Sequence, residues 1–269
     1  MVRNAVVAGQ FYSGARDSLL KEVASLVDRK AATEDAIAAV SPHAGYMYSG
    51  RVAGKVISAI KPKSIYIIMG PNHTGMGEKF GLSADESWRT PLGEIRINDE
   101  LRAAIKKNSR FIKYDDISHL QEHSIEVQLP FLQYLQKDFT FVPIVISYDE
   151  LDTYRTIGKE IAQAVRQLKL ERAVTIIASS DMTHYESQEE AKRKDSVAID
   201  AVLKLDEEKL VNSVTQLGIT MCGYGPAAIM IVAAKELGAR NARLIDYQTS
   251  GDATGDYSSV VGYAGIVIY

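Results

Sequence analysis

Short runs of β-branched and aliphatic residues recur along the chain, at Ala36 to Val40, Ile65 to Met69, Phe139 to Ile146, Val174 to Ile177, Leu244 to Tyr247 and Val260 to Tyr269. Runs of this kind, bounded by Gly, Pro, Ser and Asn, predict buried strands. Between them the apolar residues return every three or four positions. The clearest case is Asp149 to Leu168, where Leu151, Tyr154, Ile157, Ile161, Val165 and Leu168 share one helical face and Asp149 can cap the start. The same period predicts helices over Asp99 to Lys107, Ser124 to Leu135, Glu189 to Leu205, Glu207 to Leu217 and Pro226 to Leu237, the last closed by Gly238 as a left-handed cap. Ser250 to Tyr257, rich in glycine, reads as a loop before the last strand. Strands alternating with amphipathic helices imply an α/β three-layer sandwich, its central sheet mostly buried between helices. No Gly/Ser- or Pro-rich linker and no repeat divides the sequence, so residues 1–269 read as a single domain.

Composition narrows the picture by exclusion. The 269 residues carry 31 Lys and Arg against 34 Asp and Glu, a net charge of -3, so no basic field draws the chain to nucleic acid or an anionic membrane. With 46% hydrophobic and 24% charged residues it matches average globular chains, and no apolar run approaches the roughly 18 residues of a membrane span. The start, MVRNAVVAGQ, makes a poor secretory signal, and the single cysteine, Cys222, forbids an internal disulfide. The cytoplasm is therefore the expected location.

Three of the apolar runs end in a histidine-bearing loop: Ser41-Pro42-His43-Ala44-Gly45, Gly70-Pro71-Asn72-His73-Thr74-Gly75 and Ser179-Ser180-Asp181-Met182-Thr183-His184. Open α/β sheets bind ligands at the carboxyl ends of their strands. Any one of these could be a loop histidine satisfied by backbone, yet three of only five histidines sharing this context favours a common site. In Ser118 to Glu126, His123 and Glu126 would share a helical face, with Pro130 kinking or restarting the helix. His119 and His123 have the spacing of a helical zinc pair, but Leu120 stands where the zincin pattern needs Glu. His123 is thus expected to face the site, and His119 to be a surface or capping residue.

Cys222 precedes Pro226, a residue suited to the first turn of a helix, so the helix dipole is expected to favour its thiolate, while a small buried residue in a tight turn is the competing reading. Two imidazoles and a thiolate suit zinc, copper or ferrous iron and disfavour magnesium or calcium. Asp181 and His184 fit acid/base or supporting roles beside such an ion, although Asp181 could equally cap a following helix. Tyr46 or Tyr48 would line the pocket. Trp88 fits a rim position or, preferably, the core.

Taken together, Ala8-Gly9-Gln10-Phe11-Tyr12, Pro42 to Gly50, Gly70-Pro71-Asn72-His73, Glu122 to Pro130, Ser179 to Tyr185 and Cys222-Gly223 resemble the Memo family, also called AmmeMemoRadiSam system protein B in prokaryotes. That family is similar in fold to class III extradiol dioxygenases, which use non-haem ferrous iron. The resemblance implies that the two iron-ligand histidines fall on His43 and His73, the third ligand on Cys222, an acid/base histidine on His184 and a further active-site histidine on His123. A thiolate in place of the carboxylate departs from the dioxygenase pattern. The resemblance implies an iron or copper site on a dioxygenase-like scaffold, zinc being a further option, and radical-SAM and AMMECR1-type proteins as partners. A non-catalytic metal carrier or peptide-binding module using the same cleft is the alternative. A Cys222/His184/Asp181 or zinc hydrolase stands third.

Overall fold

A computed structural model describes residues 1–269. Its twelve strands are β1 Val2–Asn4, β2 Ala38–Ser41, β3 Ile65–Pro71, β4 Phe80–Leu82, β5 Ser87–Thr90, β6 Gly93–Arg96, β7 Lys113–Tyr114, β8 Thr140–Ile146, β9 Val174–Ser179, β10 His184–Glu186, β11 Ala242–Thr249 and β12 Val260–Ile268. The helices are α1 Arg16–Leu26, α2 Tyr46–Ser58, α3 Asp99–Asn108, α4 Leu129–Leu135, α5 Leu151–Gln167, α6 Gln188–Leu203, α7 Glu207–Leu217, α8 Tyr224–Glu236 and α9 Gly251–Thr254.

The long apolar runs form a nine-stranded sheet in the order β10-β12-β2-β9-β3-β8-β4-β7, with β11 on the other edge of β12. Strands β2, β9, β3 and β8 are mutually parallel. Their carboxyl ends therefore open on one side of the molecule. Side chains alternate across the sheet, as the two-residue period requires. Ile65, Ile67 and Met69 enter one core with Tyr154, Ile161 and Ile229 of α5 and α8, while Tyr66 and Ile68 enter a second core with Val56, Phe131 and Leu132 of α2 and α4. Two cores on two faces make the expected three-layer α/β sandwich. A small sheet, β1-β5-β6, buries Trp88 at 1% exposure, so that residue is core. No helix is long and apolar enough to cross a membrane.

Most periodic segments appear where the pattern puts them, but the short strands β1, β4, β5, β6, β7 and β10 and helices α1 and α2 were not signalled, and three further expectations differ. Ser124 to Leu135 is not one helix: a 3-10 turn, Glu126–Gln128, precedes α4, because Pro130 lacks the N–H a continuing helix needs and sits in the first turn instead. Asp149 does not cap α5 in the expected way; the N-cap is Glu150, and Asp149 Oδ1 accepts from the Glu150 N–H at 2.8 Å. The Ser250 to Tyr257 loop contains the single turn α9. Helix α2 was not signalled at all, since Gly50 and Gly54 interrupt its pattern. A Cβ on Gly54 would lie 2.3 Å from the Leu26 carbonyl oxygen, so glycine is what lets α1 pack against α2.

Candidate metal centre

The loops after β2 and β3 bring His43 and His73 together at the carboxyl edge of the sheet, their ring centroids 5.1 Å apart. Cys222 reaches the same point from the turn before α8. Its Sγ lies 3.3 Å from His43 Nε2, and one donor atom each from His43, His73 and Cys222 lie within 4.8 Å of one another. A tetrahedral ion bound at zinc-like lengths would hold nitrogen and sulfur roughly 3.5 Å apart, so the donor set is close to closing around one ion.

Hydrogen bonding determines which ring nitrogen faces the centre. Ser179 Oγ donates to the Ser124 carbonyl at 2.6 Å and accepts from Gln128 Nε2 at 2.9 Å, which leaves it one acceptor position for His43 Nδ1–H at 3.0 Å. Gln128 is itself oriented, accepting from Ser41 Oγ at 2.8 Å and donating to the Pro42 carbonyl at 2.9 Å. The bare nitrogen of His43 is therefore Nε2, turned toward Cys222. For His73 the Nδ1 meets Glu122 Oε1 at 2.9 Å, while the other carboxylate oxygen accepts the His73 backbone N–H at 2.7 Å. A carboxylate behind an imidazole is the arrangement that orients a metal-binding histidine.

Glu122 also accepts the backbone N–H groups of His123 at 2.9 Å and Ser124 at 2.8 Å. Burial alone would raise its pKa, but His73 and these N–H donors hold it down at about 2. Reciprocally, burial disfavours a charged His73, and the Glu122 hydrogen bond and charge outweigh it to lift its pKa. His43, fully enclosed, is driven well below the ordinary histidine range by burial and by the neighbouring imidazoles.

His123 belongs to the cluster as a wall. Its ring lies 4.8 Å from that of His73 at an interplanar angle of 12°, and 4.7 Å from Phe11. Two stacked parallel rings cannot both aim in-plane lone pairs at one point, so His73, Glu122 and His123 support the first donor set and do not form a second.

Several expected roles are corrected. Asp181 does not cap a helix, since β10 follows it, and it makes no hydrogen bond to His184. Its Oδ1 accepts the His43 backbone N–H at 2.7 Å, and burial raises its pKa to about 6. His184 is fixed through its backbone N–H to Thr220 Oγ1 at 2.6 Å, and its buried Nδ1 has no protein partner. Burial, reinforced by the Asp181 charge, pushes the Cys222 thiol pKa up, so enclosure overrides the helix dipole. His119 is neither surface nor cap: it is 1% exposed, donates from Nε2 to the Gly81 carbonyl at 3.0 Å and points away from the cluster. Glu126 does not share a helical face with His123; it turns inward to Arg3 at 2.8 Å. Tyr46 is buried on Phe131 and donates to the Val127 carbonyl at 2.7 Å, so it does not line the site. Glu122, Ser179 and Gln128 carry supporting roles that sequence patterns did not single out.

Fold and site define a three-layer α/β protein with a histidine–cysteine cluster at the carboxyl ends of its parallel strands. A family model described as Memo-like protein matches residues 3–267, and the chain belongs to the Memo family. It is 46% identical over 266 residues to a MEMO1 family protein of Archaeoglobus fulgidus, covering 99% of each chain. To a MEMO1 family protein of Methanosarcina acetivorans it is 44% identical over 269 residues, again covering 99% of each. A solved structure, the uncharacterized protein JW3007 from Escherichia coli K12, shares the fold with a TM-score of 0.58 at 14% identity, over 86% of this chain and 98% of that one.

Proposed function

We propose that this protein holds a redox-active transition ion, iron or copper, on His43, His73 and Cys222. The observation that carries this reading is the convergence of the three donors, with His43 Nε2 3.3 Å from Cys222 Sγ and both imidazoles tied from behind. Two neutral nitrogens and one sulfur suit a borderline or soft ion, and the same donors accept zinc. When bound, such an ion supplies Lewis acidity and one-electron chemistry. The chain's own residues then orient and enclose. Ser179 and Glu122 fix the rings, Asp181 pins the His43 backbone, His123 walls one side, and proton transfer is assigned to His184, whose buried Nδ1 has no protein partner.

A reaction of the dioxygenase type and a holding or delivery role without turnover both use this site. The reducing cytoplasm keeps Cys222 as the thiol that either role needs. Radical-SAM and AMMECR1-type proteins are the proposed partners. A Cys/His/Asp hydrolase is disfavoured, because the Asp181 carboxylate holds a backbone N–H and not an imidazole. Anaerobic titration with ferrous and cuprous ions tests the proposal. One site per chain is expected, abolished by His43→Ala and by Cys222→Ala, and unchanged stoichiometry in those variants overturns it. Oxygen uptake by the loaded protein with catechols separates turnover from holding.

A further inference from the structure

We infer that Arg3 is a positioning residue for the histidine cluster, acting through the loop from His119 to Glu126, an inference that rests on the metal-binding reading above. Arg3 lies in β1, in a different sheet from the strands β2 and β3 that lead to His43 and His73, and is only 7% exposed. Its guanidinium grips that loop at three places. Nε donates to the His119 carbonyl at 2.7 Å, Nη2 to the Glu122 carbonyl at 2.6 Å and Nη1 to Glu126 Oε2 at 2.8 Å. Trp88 packs on its face, 4.0 Å from ring centroid to guanidinium carbon.

Glu126 is equally committed. It accepts from the Val6 N–H at 2.9 Å, the Val7 N–H at 3.1 Å and the Tyr12 hydroxyl at 2.7 Å. The buried ion pair is thus fully hydrogen-bonded and straps residues 3–12 across the loop. One residue joins the strap to the centre: Glu122, held at its carbonyl by Arg3, holds the His73 ring with its carboxylate. The same segment continues to Phe11, whose ring lies against His123 and whose carbonyl accepts the Tyr46 N–H at 2.7 Å, at the start of the helix behind His43. Loops without a regular ladder have little of their own to set a side chain to a fraction of an ångström, and here a planar three-way fork supplies it. Lysine keeps the charge but cannot reproduce that fork.

The experiment compares full-length wild type, Arg3→Lys and, as a control destabilised far from the site, Leu101→Ala, buried in α3. Each is titrated anaerobically with Co²⁺ well below its melting temperature, and thiolate-to-cobalt and ligand-field absorption are recorded. Metal-free samples give the imidazole ¹H–¹⁵N correlations of His73 and His123. For Arg3→Lys the inference expects native secondary structure, cobalt affinity weakened by about 10-fold or more, altered ligand-field bands and displaced His73 and His123 signals. Leu101→Ala should melt lower with affinity, bands and signals unchanged. If Arg3→Lys only melts lower, with the affinity and imidazole signals of wild type, Arg3 is structural and the inference is overturned. If wild type binds no cobalt, the metal reading fails by itself, and unmoved metal-free imidazole signals in Arg3→Lys would still refute the positioning role.

Discussion

Glu122 Oε1 sits 2.9 Å from His73 Nδ1, and this contact leaves His73 Nε2 as the nitrogen able to face the centre. The same carboxylate takes three backbone N–H groups, from His73, His123 and Ser124, so one buried charge organises two loops.

Replacing that charge with an amide should loosen the centre without dismantling the fold. Glu122→Gln is expected to weaken binding of ferrous or cobaltous ion by about 10- to 100-fold, as loss of the group behind a metal-binding histidine commonly does. Equilibrium titration measures it. An affinity equal to wild type would remove Glu122 from the supporting role.

Ser179 Oγ serves three neighbours at once, and its loss strands His43 Nδ1–H, one Gln128 N–H and the Ser124 carbonyl. Ser179→Ala should cost about 1–3 kcal/mol in urea unfolding, the range for buried polar groups left without partners. The slope of the unfolding curve should stay constant, so that the midpoint alone carries the change.

His119 gives the acid limb of stability a definite sign. Burial, with the Arg3 charge adding to it, lowers its pKa from 6.5 to about 4 in the folded protein, so between those values the unfolded chain binds more protons. Its contribution is complete above pH 6.5 and is lost as pH falls toward 4, about 3 kcal/mol in all. Stability of His119→Gln, measured by denaturant titration from pH 7 to 4, should fall less steeply than wild type. Parallel curves would refute the assignment.

Gly223 must stay bare. A Cβ there would lie 2.5 Å from the Ser179 carbonyl oxygen and 2.5 Å from Ser180 Cβ, contacts that force the turn holding Cys222 to shift. Gly223→Ala is expected to weaken cobalt binding more than 10-fold and to diminish the thiolate-to-cobalt band, with far-UV circular dichroism unchanged. A full-strength band would show that the turn tolerates the methyl group.

Three histidine-bearing loops were legible in the sequence because hydrophobic runs stop abruptly before His43, His73 and His184, and of these the structure gathers His43 and His73 with Cys222. Their supports were not legible. Arg3 meets Glu126 across 123 positions, and nothing local in either segment announces the pairing. His119 was misplaced because its loop inverts the usual pattern: Ile117 and Leu120 are exposed while the histidine between them is buried. For Cys222 the helix end and a buried turn were both visible in the sequence, and only the structure decides for burial. Helix α2 was hidden because its glycines answer to Leu26 and not to helix propensity.

The order of strands bears on how the protein is made. β12, the final strand, pairs with β11 along one edge and with β2 and β10 along the other, and so closes the sheet beside the strand that leads to His43. Cys222 also arrives late, after every histidine. A nascent polypeptide therefore exposes its imidazoles long before it owns a pocket, and the three side chains can meet only in the finished molecule. Under the proposed function, loading would follow synthesis, in competition with other cellular chelators.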